Sequence, residues 1–390
     1  MTDSALSLNP GGRLAPEQVV GRDALAARVW RILDRQSVVL SAERRMGKTS
    51  LITLMMAEGR LPPHTRCLFR DLEGIDTPLG FVEKIATSVW NLSAKGRAKR
   101  GLTKLLRTLG GAEVAGVIKF PQPDQTPWQE ILTKLIGELA ADPDTRTVFF
   151  WDELPLMLYD IQRRGTGRAG EVLDRLRNIR QTHPSVRMVF TGSIGLHHVL
   201  RGLKADGYAN DPTNDMLAVD VPPLELPHAA SLAERLLRGE EIPCDDRAAL
   251  AERVARHADG VPFHVHHLVH RLADLEPPVT PTILDHAVEA LLKDPHDPLH
   301  LRHYRERIDT YYGDHRDIVL AILDALAPGP QSTEALFNGV KARQPVDDPE
   351  VIRGLLTMLQ QDHYLVRTDA GAFAFRLNLV RRHWRWDRSL

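Results

Sequence analysis

The stretch Ser41-Ala42-Glu43-Arg44-Arg45-Met46-Gly47-Lys48-Thr49-Ser50 decides the reading of this chain. It follows a short β-branched apolar run, Ser37 to Leu40, that reads as a buried strand, and it enters Lys48 to Ala57, a helix rich in good helix formers. A Gly-Lys-Thr turn between a strand and a helix has the spacing of a phosphate-binding loop. In such a loop, backbone N–H groups and the helix N-terminus converge on an anion, so the main chain must come close to it. Gly47, without a Cβ, permits that approach and an unusual backbone angle. Lys48 brings a point charge to the phosphate oxygens, and the Thr49 hydroxyl is the expected ligand of Mg²⁺. The usual pattern opens on glycine; Ala42 holds that place here, which a negative φ accommodates.

Before the loop, apolar residues recur at helical spacing (Leu25, Val29, Ile32, Leu33). After it come a second strand (Arg66 to Leu72), a helix (Pro78 to Leu92), an irregular basic stretch to about residue 127, and a helix from Trp128 to Ala141. Thr147-Val148-Phe149-Phe150-Trp151-Asp152-Glu153 is then an apolar strand ending in two carboxylates. Beside a phosphate loop these have direct uses: Asp152 for the magnesium shell, Glu153 to orient and polarise an attacking water. A helix (Glu171 to Gln181) and another apolar strand (Val186 to Thr191) follow, the latter leading into Gly192-Ser193, where a hydroxyl is placed to sense the γ-phosphate or the water. Strands alternating with helices in this way predict βαβ units: an α/β fold with a mostly parallel sheet covered on both faces.

After Pro222-Pro223 the strand patterns stop and helical ones continue to about Tyr312. Three short helices follow (Asp317 to Leu326, Ser332 to Ala342, Pro349 to Gln361), then a strand-turn-strand around Asp369-Ala370-Gly371, the element order of a winged helix. The expected domains are a flexible leader over 1–18, a P-loop α/β core over 19–225, a helical lid over 226–312 and a winged-helix domain over 313–390. A chain of 390 residues agrees with more than one domain, since single cores stop growing near ~250–300 residues. A formal net charge of -1 excludes a broadly basic surface. Two separated cysteines, Cys67 and Cys244, argue against a disulfide or zinc framework. No apolar run nears the ~18 residues of a membrane span, and the polar start is not that of a signal peptide. A cytoplasmic protein is expected.

Val20-Gly21-Arg22-Asp23, the Arg-Arg-x-Gly-Lys-Thr-Ser loop, the Asp-Glu strand, Thr191-Gly192-Ser193 and Gly260-Val261-Pro262 occur in that order. From Val19 to about Leu272 the chain resembles the archaeal-ATPase-type branch of the STAND P-loop NTPases, relatives of the AAA+ and origin-recognition ATPases. The resemblance implies a nucleotide core, a helical lid and a winged helix. It implies that Gly21 and Arg22 line the adenine side and that Pro262 reaches the nucleotide from the lid. It also implies an ATP-dependent switch that rearranges domains or oligomerises. The expected ligands are ATP or ADP with Mg²⁺, bound by residues 42–50. Catalysis falls to Lys48, Glu153 and Ser193, and the metal to Thr49 and Asp152. Hydrolysis is expected to be slow. Arg44, Arg45 and Arg201 are the candidates for an arginine finger.

Two alternatives follow from other features. A DNA-binding initiator or transposition-type ATPase would use the winged helix and the C-terminal Arg381, Arg382, Arg385 and Arg388 with Trp384 and Trp386; the same stretch reads equally as a tail packing its indoles on the preceding domain. A signalling or defence scaffold would bind ATP with little hydrolysis. The basic run Lys95, Arg97, Lys99, Arg100, Lys104 and Arg107 lacks the interleaved aromatics of a single-strand stacking platform. His266 and His270 share a helix face, but no third ligand or general base accompanies them, and a packed helix accounts for both.

Overall fold

The structure is a computed structural model that describes residues 4–92, 103–104, 111–114, 116–120, 127–142, 144–165, 168–276 and 278–390. The chain gathers into two compact units. One comprises Ala24–Ser41 and Leu51–Asp220; the other comprises the residues up to Asp23, the loop Ala42–Ser50, and Val221–Leu390.

The first unit is built on a parallel sheet. Its strands are β1 (Ser37–Ser41), β2 (Thr65–Asp71), β5 (Arg146–Asp152), β6 (Val186–Phe190) and β7 (Met216–Asp220), arranged β2-β5-β6-β1-β7. The helices along this part of the chain are α1 (Asp23–Leu33), α2 (Lys48–Met55), α3 (Pro78–Leu92), α4 (Trp128–Ala140), α5 (Leu154–Arg164), α6 (Arg168–Thr182) and α7 (Leu196–Ala205). Successive residues of β5 are buried from Thr147 to Asp152, so both faces of the sheet are covered and the strand reads as a continuous apolar run. Trp151 is fully buried there, edge-on to Phe81 at 5.3 Å and stacked on Phe190 at 5.9 Å. Each such ring pair adds about 0.5–1.5 kcal/mol beyond area burial.

Two elements of this unit escape the sequence pattern. β7 is a short edge strand with Leu217 and Ala218 exposed, so it lacks an apolar run. The stretch read as irregular contains a hairpin of β3 (Ala112–Val114) and β4 (Val117–Lys119), each too short for periodicity to show. The hairpin is tied to α3 by Glu83, which accepts from Phe120 N at 2.8 Å and Lys119 Nζ at 2.7 Å. Of the basic run, only Lys104 lies within the described residues.

The second unit is helical: α8 (Leu226–Gly239), α9 (Arg247–His257), α10 (Pro262–Ala273), α11 (Pro281–Leu292), α12 (His303–Tyr311), α13 (Arg316–Leu326), α14 (Thr333–Lys341), α15 (Pro349–Gln361) and α16 (Asn378–Asp387), with the antiparallel hairpin β8 (Leu365–Arg367) and β9 (Phe373–Phe375). Capping explains several starts: Asp246, Thr280 and Ser332 each accept a backbone N–H of the first turn, and Pro281 and Pro349 stand in the first turn, where no N–H is needed. One apolar core runs through the unit from Leu6 and Met46 to Trp384. The residues read as a loose leader take part in it. Leu6 is buried, its N–H donates to Arg235 O at 3.0 Å, and a Cβ on Gly239 would stand 2.0 Å from Leu6 O.

Candidate functional site

The phosphate-type loop leaves β1 at Ser41 and opens α2 at Lys48. Ala42 has a negative φ, so the missing first glycine is tolerated, while Gly47 takes φ +86° and Arg45, unexpectedly for a side-chain-bearing residue, φ 68°. A Cβ on Gly47 would meet nothing nearer than Ser50 Cβ at 3.8 Å; the glycine serves the backbone angle, and the space around it is open for close approach. Lys48 is buried, and its Nζ donates to Ala42 O at 2.9 Å and Glu43 O at 3.1 Å, so the ammonium is held over the loop. Thr49 and Ser50 follow in the first turn of α2, half-buried.

Arg22 is buried behind this loop, donating to Met46 O and to Pro222 O, both at 2.8 Å. It thereby fixes one loop carbonyl against the chain that leads to α8. Gly21 has φ +68°, and a Cβ there would lie 2.7 Å from His228 Cβ. Pro262 opens α10 after Gly260, whose φ is +69° and whose added Cβ would stand 2.2 Å from Leu224 O. Arg45 lies over the Phe263 ring at 4.4 Å, a cation–π contact that holds it on α10. Arg44 is exposed.

The most heavily buried charge of the loop is Glu43, at 2% exposure. Burial alone would push its carboxyl up. The Arg307 guanidinium, the His303 ring and the Arg44 N–H outweigh burial and bring it down to about 2. Arg307 Nη1 donates to both Glu43 oxygens at 2.7 Å. This partner lies 264 residues along the chain and carries no local motif, so sequence reading missed it.

The other predicted acids stand on the sheet. Asp152 ends β5, and its Oδ1 accepts the Glu153 N–H at 3.2 Å. Glu153 turns the chain into α5 with φ 57° and ψ 25°, a left-handed conformation costly for a glutamate. Its Oε2 accepts both Ser193 N at 2.9 Å and Ser193 Oγ at 2.8 Å, so Glu153 and Ser193 are brought together directly. A Cβ on Gly192 would meet Pro155 Cδ at 2.8 Å and Glu153 Oε2 at 3.4 Å, which makes the glycine a spatial requirement of this pair. Thr191 Oγ1 is buried and has no hydrogen-bond partner.

Strand order relates the segments that carry these residues. The chain leaves β1 toward β2, on one side, and leaves β6 toward β7, on the other. The loop follows β1, Thr191-Gly192-Ser193 follows β6, and the acids end the next strand, β5.

The remaining candidates fall elsewhere. His266 is buried and its Nδ1 accepts Asn9 N at 3.3 Å, while His270 is exposed; they join no ligand cluster among the described residues. The C-terminal arginines sit on α16, where Trp384 is buried and donates to Asp324 at 2.9 Å. Arg388 and Arg382 pair with Asp324 and Glu289, and Arg381 reaches Asn378 and Ala327 O. One of the two indoles, that of Trp384, packs inside the unit, while Trp386 is exposed at 42%.

No protein-family model and no curated protein matches the chain. Solved structures do match. A Walker-type ATPase of Pyrococcus abyssi superposes with TM-score 0.64 at 15% identity, covering 97% of this chain and 99% of its own. The ORC2 protein of Aeropyrum pernix, solved as ADPNP-ADP complexes, does so with TM-score 0.50 at 11% identity, covering 97% of each chain. At these identities the likeness is one of fold: the chain has the α/β P-loop architecture of archaeal Walker-type and ORC-like ATPases.

Proposed function

We propose that the chain binds ATP with Mg²⁺ on residues 42–50 and hydrolyses it slowly, as a nucleotide switch of the STAND type. The observation that carries the reading is the pairing of Glu153 with Ser193 after β5 and β6, the latter pairing with β1, the strand that the Gly47-Lys48-Thr49 loop follows. The residues present fit the ligand: the loop combines a glycine at φ +86°, a buried ammonium and two hydroxyls, and Thr191, after β6, carries a buried hydroxyl without a hydrogen-bond partner. Lys48 and the loop amides would bind the β- and γ-phosphates. Thr49 and Asp152 would hold the magnesium, which neutralises phosphate charge. Glu153 would take a proton from the attacking water, with Ser193 fixing one carboxylate oxygen and leaving the other for that water. Gly21 and Arg22 would line the adenine side and Pro262 would close from the lid.

Domains over 19–225, 226–312 and 313–390, the last a winged helix, are part of the same proposal, supported by three helices followed by a hairpin in α13 to β9. Duplex contact is the weaker reading: Arg381, Arg382 and Arg388 bond within their own unit, and Asp347, Asp348 and Glu350 surround the start of α15. The test is a nucleotide titration with Lys48→Ala. Lost affinity supports the site, and unchanged affinity refutes it.

A further inference from the structure

We propose that Arg307 is a positioning residue for the phosphate loop, clamping Glu43 to Asp362 so that loop shape and the seating of the C-terminal hairpin depend on each other. The inference deepens the nucleotide reading of the same loop and rests on it for its functional consequence.

The loop's amides have to face an anion, so something must hold its opposite side. Glu43, the residue after Ala42, does this: its Oε1 accepts the Arg44 N–H at 2.8 Å, fixing the turn, while His303 Nε2 stands 3.3 Å from the same oxygen. Arg307 Nη1 then takes both carboxylate oxygens at 2.7 Å. The other end of the guanidinium, Nη2, donates to Asp362 Oδ1 at 3.2 Å, and Asp362 Oδ2 accepts the Tyr312 hydroxyl at 2.6 Å. The guanidinium lies over the Tyr364 ring at 5.6 Å, and Tyr364 donates to Tyr304 O at 2.6 Å. Side chains of Glu43 and Asp362 are each 1% exposed, and that of Arg307 11%.

A buried cation between two buried acids contributes little net stability but strongly disfavours any arrangement that separates them. Asp362 is the C-cap of α15 and precedes β8, so its position is that of the hairpin. A ligand that changes the loop therefore changes the energy of the hairpin's seat, and the hairpin changes the loop by the same factor.

The test uses the full chain, with hydrogen exchange read at the amides of Arg44 to Lys48 and of Tyr364 to Phe375. Asp362→Asn and the milder Tyr312→Phe leave every residue of the loop intact. In nucleotide-free protein, Asp362→Asn is expected to speed loop-amide exchange about tenfold and Tyr312→Phe by less. Leu356→Ala, which truncates a buried side chain of α15 that makes none of the clamp's hydrogen bonds, is the structural control and leaves loop exchange unchanged. Adding Mg-ATP to the unmodified chain slows exchange in the hairpin, and Asp362→Asn removes that response. Loop exchange unchanged in both clamp variants, or raised equally by Leu356→Ala, overturns the proposal. If the unmodified chain binds no nucleotide, the functional reading fails while the nucleotide-free result still decides the clamp.

Discussion

Two glutamates of this chain are handled in opposite ways. Glu43 is buried, accepts a bidentate contact from one arginine nitrogen, and has its carboxyl held near 2. Glu153 is half-buried, sits on a left-handed backbone at φ 57°, and is restrained by one serine through a single oxygen. The first arrangement suits a carboxylate that must never move or change protonation. The second leaves an oxygen available and keeps the group where a strand ends. A buried, saturated acid is an anchor; a strained acid held by one residue at a strand's end has the features of a working group.

The contrast can be broken experimentally. The largest effect expected is on turnover: Glu153→Gln lowers phosphate release by about 10²–10⁴-fold with nucleotide affinity retained, since only the proton acceptor is lost. Steady-state phosphate release beside a binding titration measures both, and equal turnover in the two proteins removes Glu153 from its role. Next is the anchor itself. Arg307→Met leaves Glu43 and Asp362 buried without their cation and is expected to cost about 3–5 kcal/mol in urea denaturation; a loss below about 1 kcal/mol means the acids find water or protons elsewhere.

Acid provides a third, graded test. The Glu43 carboxyl lies near 2 in the folded chain against 4.5 ordinarily, so its contribution is complete above about 4.5 and is lost as pH falls toward 2. Asp259 runs the other way: burial, only partly offset by the Leu379 N–H and nearby arginines, pushes it up to about 6, so folding gains as pH falls from 7 through 6. Stability followed from pH 7 downward should therefore show the Asp259 gain first and the Glu43 loss only below about 4.5, the second vanishing in Glu43→Gln. The smallest effect is Ser193→Ala, which removes one of two hydrogen bonds to Glu153 and should cost about 1 kcal/mol or less of stability with a modest fall in turnover.

How much of this was legible depended on whether the cause was local. The loop announces itself because its chemistry is set by adjacent residues: Gly47 for the backbone angle, Lys48 and Thr49 for charge and hydroxyl. The acids were legible because an apolar run from Val148 to Trp151 stops abruptly at Asp152. The edge strand β7 was not, since three of its five residues are exposed and no buried run marks it. For helix α16 the sequence left a duplex-contacting edge and a packed tail both open, because the partner that Trp384 bonds, Asp324, is distant in sequence. Arg307 and Asp362 look like ordinary charges on helical segments; only folding shows them meeting Glu43. The left-handed turn at Glu153 is likewise invisible in the letters, where a glycine would have signalled it.

That last point bears on how such a chain would drift in the laboratory. A glycine or asparagine at position 153 would relieve a backbone penalty of about 1–2 kcal/mol. Variants selected for heat resistance alone should therefore arrive at this site early and lose their glutamate. Selection that also demands turnover should hold it in place, making position 153 a marker of which pressure a library has felt.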